Sequence, residues 1–127
     1  MGQYLIDTNT ASNLLQAKLP ENGIALMRSI TDAIPNISVI TKIELLSWKT
    51  TEAVEALVRD FITDSNVLGL DEEITELCVG LRRKKSIKTP DAIIAATALA
   101  NNYTLITANE KDFSNIKALK VINPHKL

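Results

Sequence analysis

Four carboxylates sit where chemistry could use them. Asp7 ends the aliphatic run Tyr4-Leu5-Ile6, and Glu44 lies in Ile43-Glu44-Leu45. Asp91 follows Thr89-Pro90, and Asp112 precedes Phe113. Each has an ordinary explanation. Asp7 can cap a helix. Thr41-Lys42-Ile43-Glu44 fits a capping box. Asp91 suits the positive end of a helix dipole, and Asp112 could start a helical turn. Gathered on one rim, however, the four would repel. Two carboxylates sharing a site already push one pKa up strongly, and a cation relieves that crowding. All-oxygen donors select a hard ion, Mg²⁺ or Mn²⁺. Zinc is disfavoured, because the single His125 is nearly terminal and the single Cys78 lies on an apolar helical stripe. A divalent ion lowers the pKa of a bound water and neutralises charge developing on a phosphate. The chemistry to expect is hydrolysis of a phosphate ester.

The elements that must position these acids alternate between strand and helix. Tyr4–Ile6 reads as a strand, and a helix follows over about 10–16 with Leu14 and Leu15 inward. Pro20 opens a second helix, with Ile24, Met27, Ile30 and Ile34 at helical spacing. Asn36–Ile40 is β-branched and predicts a strand. Thr41 then caps a helix to Lys49, and another runs over 51–63 with Val54, Leu57, Val58, Phe61 and Ile62 on one face. Val67–Leu70 is a third strand. Residues 71–84 form an amphipathic helix with the stripe Ile74, Leu77, Cys78 and Leu81. Thr89 as N-cap and Pro90 at the first position open an almost wholly apolar helix to about Asn101. Strands at 103–107 and 118–122 close the chain, with a helical turn from about Lys111 between them. Five short strands separated by helices predict one α/β domain with a parallel, helix-flanked sheet. In such sheets function gathers at the carboxyl ends of the strands, and there the four acids fall.

Composition permits this reading. The 127 residues are 46% hydrophobic and 4% aromatic, so aliphatic side chains build one core without staples. One cysteine excludes an internal disulfide, and a reducing cytoplasm is the expected location. No apolar stretch is long enough to span a membrane. The N-terminus lacks the pattern of a signal peptide. A net charge of −1 does not announce nucleic acid. Its distribution is uneven, with eight acids and one base over 52–76 and five bases in seven residues over 82–88. Arg82, Arg83, Lys84, Lys85 and Lys88 could guide an RNA backbone toward Asp91, or simply end a helix favourably. Lys42 and Lys49 are weaker candidates. Trp48 is either core or part of a partner surface, and exposed apolar side chains over 41–63 would suit a partner protein or a second subunit.

At these residues the sequence resembles the PIN-domain ribonucleases, and within them the toxins of VapC-type toxin–antitoxin pairs. The matching segments are YLIDTNT (4–10), SVITKIELL (38–46), KTPDAIIAATALANNYTLIT (88–107), NEKDF (109–113) and the closing VINP (121–124). Their order covers essentially the whole chain. The resemblance implies a Mg²⁺-dependent endoribonuclease with Asp7, Glu44 and Asp91 as acidic core. Thr8 supports the metal cluster, and Thr107 hydrogen-bonds the acids. Many relatives carry Asp at the position of Asn109. Here Asn109 brings no charge and the fourth carboxylate falls to Asp112, with Glu110 a less favoured substitute. The resemblance also implies a 5′-phosphate product, an antitoxin partner and a homodimer.

Other classes fit less well. A receiver module needs an acidic pair after its first strand, and only Asp7 is there. A phosphatase of the D-x-D type fails because Asn9 replaces the second Asp. A serine hydrolase triad lacks a placed histidine, and four glycines make no phosphate-binding loop. A PIN scaffold that binds RNA or protein without cutting remains the main alternative.

Overall fold

Five strands of two or three residues each pair in parallel to form the sheet. The computed structural model describes residues 3–32 and 34–126, without the side chains of 30–32. In chain order the elements are β1 (Tyr4–Ile6), α1 (Thr8–Leu15), α2 (Glu21–Asp32), β2 (Asn36–Ser38), α3 (Val39–Ser47), α4 (Glu52–Thr63), β3 (Asn66–Leu68), α5 (Glu72–Lys84), α6 (Thr89–Asn101), β4 (Thr104–Ile106), α7 (Glu110–Phe113) and β5 (Val121–Ile122). The strand order is β3-β2-β1-β4-β5. The chain builds from β1 toward one edge, then returns to the other side of β1. The direction of winding therefore reverses between β1 and β4, where an open α/β sheet leaves a crevice beyond the strand ends.

Alternation along the strands divides the core. Ile6 and Ile106 face one way, into a cluster with Ala11, Met27, Leu45, Val58 and Phe61. Leu5 and Leu105 face the other, against Ile94, Ala95, Ala98 and Phe113. Residues 92–98 of α6 are all buried, as their apolar run requires. Ala92 and Ala96 let α5 approach closely through Ile74 and Cys78. Asn102 ends α6 in the left-handed region at φ 55°, a common helix stop. Gly23 on α2 faces the C-terminal segment so closely that a Cβ there would lie 2.3 Å from the Pro124 carbonyl oxygen.

Several boundaries differ from expectation, each through local hydrogen bonding. The strand read over 36–40 stops at Ser38, because the Ser38 hydroxyl accepts from the Ile40 amide at 3.1 Å and caps α3. Thr41 is therefore inside α3 and buried, not a cap, so Glu44 belongs to no capping box. α1 begins at Thr8 rather than Thr10 because Asp7 is its cap. α6 is capped at Lys88 with no side-chain bond, and Thr89 is its first residue. Ile34 is exposed and extends no helical face, while Leu57 and Leu70 are also exposed. Ile30 lies outside the described side chains.

Candidate active site

Asp7 stands directly at the reversal between β1 and β4. It is 5% exposed. Its Oδ1 accepts from the Thr10 amide at 2.9 Å, which is the helix cap. Its Oδ2 accepts from the Thr107 hydroxyl at the end of β4. Each carboxylate oxygen carries a further lone pair, so capping and ligation are compatible. Burial pushes the Asp7 carboxyl above its ordinary range, hydrogen bonds from Thr107 and Thr10 oppose this, and the Glu44 charge adds to the rise.

Asp91 lies in the first turn of α6 and is half-buried. Its carboxyl is also raised, first by burial and then by the charges of Asp112, Glu44 and Asp7, with Lys88 opposing. The other three acids thus lie within electrostatic reach of Asp91. Thr8 ties α1 to α3. Its hydroxyl donates to Glu44 Oε1 at 2.6 Å and lies 3.1 Å from the Thr41 hydroxyl. A second relay joins Asp112 to Asp7. Asn109 Nδ2 donates to Asp112 Oδ2 at 2.8 Å, and the Asn109 amide donates to the Thr107 hydroxyl at 3.0 Å. Thr107 in turn holds Asp7. Among the described residues no three His, Cys, Asp or Glu side chains close to metal-ligand spacing. The donor chemistry nonetheless fits a hard divalent cation. All four groups are carboxylates, and two of them carry raised pKa values that like charge helps to cause.

The remaining candidates separate. Glu110 turns away from the acids to pair with Lys126 at 2.6 Å and accept from Asn123, which lowers its pKa. Arg82, Lys85 and Lys88 line a recess of about 450 Å³ that also includes Asp112. Arg83 is exposed elsewhere, and Lys84 lines a different recess with Glu73 and Glu76. Lys42 and Lys49 line neither recess beside the acids. Cys78 is core, and Trp48 is half-buried beside Leu45. Ile43, Leu46 and Leu57 form exposed apolar surface on α3 and α4. Sequence reasoning missed Thr41, Thr10 and a row of amides on α1. Thr10 is buried, its hydroxyl reaching the Ile106 carbonyl oxygen at 3.3 Å. The D-T-N-T spacing was the available signal for it.

A doubly wound parallel sheet with acids ringing its point of reversal defines the class of carboxylate-site α/β domains. The family model of the PIN domain matches residues 4–119, and the chain belongs to that family. It is 44% identical over 41 residues to Ribonuclease VapC1 of Rickettsia felis (strain ATCC VR-1525 / URRWXCal2). The matched stretch spans 32% of this chain and 31% of that curated relative. Among solved structures, the chain is similar to a toxin–antitoxin complex from Klebsiella pneumoniae. That match has 29% identity and a TM-score of 0.78 over 98% of this chain and 100% of the other. VapBC-1 from nontypeable Haemophilus influenzae matches at 25% identity and TM-score 0.76, over 97% and 98%. DNA-bound VapBC from Salmonella typhimurium shares the fold at TM-score 0.80 and 22% identity, over 98% and 99%.

Proposed function

We propose that this chain is a metal-dependent endoribonuclease, the toxin of a VapC-type pair, held in check by an antitoxin protein. The observation that supports it most is that a buried aspartate, Asp7, stands at the switch point of a PIN-domain sheet, with acids from three other segments, Glu44, Asp91 and Asp112, placed so that the charges of Asp112, Glu44 and Asp7 all act on Asp91. The names of the similar proteins, a ribonuclease and toxin–antitoxin complexes, point the same way.

In this reading Asp7 and Asp91 hold the principal Mg²⁺ or Mn²⁺, and Glu44 and Asp112 complete the acidic set. When bound, the ion supplies an activated water and neutralises charge on the scissile phosphate. The chain's own residues do the positioning. Thr107 and the Thr10 amide fix the Asp7 carboxylate. Thr8 fixes Glu44, and Asn109 fixes Asp112, so three of the four acids are oriented by hydrogen bonds. Arg82, Lys85 and Lys88 give the RNA backbone sequence-independent attraction beside Asp112. The exposed Ile43, Leu46 and Leu57 offer the antitoxin or a second subunit an apolar surface.

Purified protein incubated with RNA and Mg²⁺ tests the reading. Cleavage should appear with Mg²⁺, stop with EDTA, and fall at least about a hundredfold in Asp7→Asn and Asp91→Asn, the scale of removing one electrostatic stabiliser. Circular dichroism should show both variants folded. Cleavage that survives EDTA or Asp91→Asn refutes it, and folded protein that cuts no RNA favours a non-cutting PIN scaffold.

A further inference from the structure

We propose that the recess between α1 and α3, beside Glu44, is a nucleobase subsite that selects the nucleotide next to the cut bond. The inference rests on the nuclease reading above. The recess measures about 550 Å³, within the roughly 300–1,000 Å³ of small-ligand sites. Glu44 and Thr8 are among its lining residues, so whatever fills it lies beside Glu44.

Its wall is a row of amides. Asn9 and Asn13 stand four residues apart on α1, and Gln16 ends the same helix on that side. The opposite face of α1 buries Thr10 and Ala11. Among the described residues no hydrogen bond engages the side-chain amides of Asn9, Asn13 or Gln16. An amide carries a donor and an acceptor side by side. That pair matches a base edge, whereas a phosphate is better met by a cation. Three cations, Arg82, Lys85 and Lys88, sit in the other recess on the Asp112 side, against the single Lys18 in this one. The two recesses therefore divide the labour, with the cluster of cations on one flank of the acids and a wall mostly of amides and hydroxyls on the other.

Trp48 adds the second element. It lines the amide recess while packing against the core, so its ring is held in place. An aromatic face beside donors and acceptors is how proteins grip an unpaired base. Lys18, also on the wall, reaches the phosphate of the nucleotide so held. Eight of the ten lining side chains are polar, and Leu45 and Trp48 supply the apolar ones.

Trp48 is the sole tryptophan, and it lines this recess and a smaller one against α4 with Glu55 and Arg59, so its emission is read together with substitutions confined to the amide wall. The test titrates the full chain carrying Asp91→Asn, which stops turnover, with fluorescein-labelled single-stranded RNA octamers of four base compositions in Mg²⁺. Anisotropy reads total binding, and tryptophan emission reads the recess. One composition should quench Trp48 saturably and bind best. Adding Asn13→Ala or Gln16→Ala should weaken that RNA by about fivefold to a hundredfold and level the four compositions. RNA bound with unchanged Trp48 emission, or a base preference that survives both substitutions, overturns the inference and leaves the nuclease reading standing. No RNA binding by anisotropy removes the nuclease reading and the inference together. A protein partner whose binding is weakened by Asn13→Ala or Gln16→Ala, where RNA binding is not, assigns the recess to that partner and also overturns it.

Discussion

Replacing Thr107 by valine isolates the polar bond at the centre of the sheet reversal. The two side chains have the same shape, so no cavity opens. What is lost is one hydroxyl that is fully buried, donates to the buried Asp7 carboxylate and accepts from the Asn109 amide. A buried group left unpaired costs about 1–3 kcal/mol, and more when charged. The carboxylate loses one donor of two, and the Asn109 amide is only partly buried. We expect a total of about 2–4 kcal/mol at pH 7. With an unfolding entropy near 2.1 cal/mol/K per residue, a chain of 127 residues loses about 4 °C of Tm per kcal/mol, hence about 8–15 °C. Calorimetry of Thr107→Val against Thr107→Ser reads this directly. The serine keeps the hydroxyl and should lose only about 1 kcal/mol for its methyl. The valine deficit should shrink as pH falls through the raised pKa of Asp7, because a protonated carboxyl no longer needs the donor as strongly. A valine variant as stable as the serine variant, or a deficit independent of pH, would refute the assigned bond.

Asp7 and Asp91 both have folded pKa values above the unfolded value, so the folded protein binds more protons between the two. Without metal, these groups should make stability fall as pH rises through that window. Mg²⁺ should therefore raise Tm more at pH 7 than at pH 5, and equal shifts in a fluorimetric melt would contradict the cluster. Gly23→Ala places a Cβ against the Pro124 carbonyl and should cost about 1–3 kcal/mol, read by urea unfolding. Triple replacement of Arg82, Lys85 and Lys88 by Ala should weaken RNA binding evenly across sequences. It should lower the slope of log K against log salt by about 0.7 per lost phosphate contact. An unchanged slope would place the backbone elsewhere.

Much of this fold was legible because its signals are local. The apolar run 92–98 had to be a buried helix, and Asp71 and Thr51 marked helix starts that the structure keeps. The misread boundaries involve residues with two uses. Ser38 can extend a strand or cap a helix, and the tertiary position of Asp7 decided that α1 begins early. Strand order could not be read, since strands of two or three residues carry no pairing code beyond apolarity. The four acids were visible as residue types. Thr8 and Thr107 were expected beside them from the resemblance, and the Asn109 bond to Asp112 is local, whereas Thr41 behind Thr8 depends on which elements meet. The amide row escaped notice because Asn and Gln on an exposed helix are ordinary until a neighbouring helix encloses them.

The brevity of the strands has a consequence for how this protein tolerates change. At about 3.3 Å per residue, a strand of three residues is only about 10 Å long, so its interior is already its rim. Ile6 and Ile106, which fill the core, are chain neighbours of Asp7 and Thr107. Packing and chemistry thus share the same few ångströms of backbone, and a methyl trimmed from the interior is felt by the carboxylates. Variation is free to accumulate on the outer helices, while the middle of the sheet must be altered, if at all, as one block.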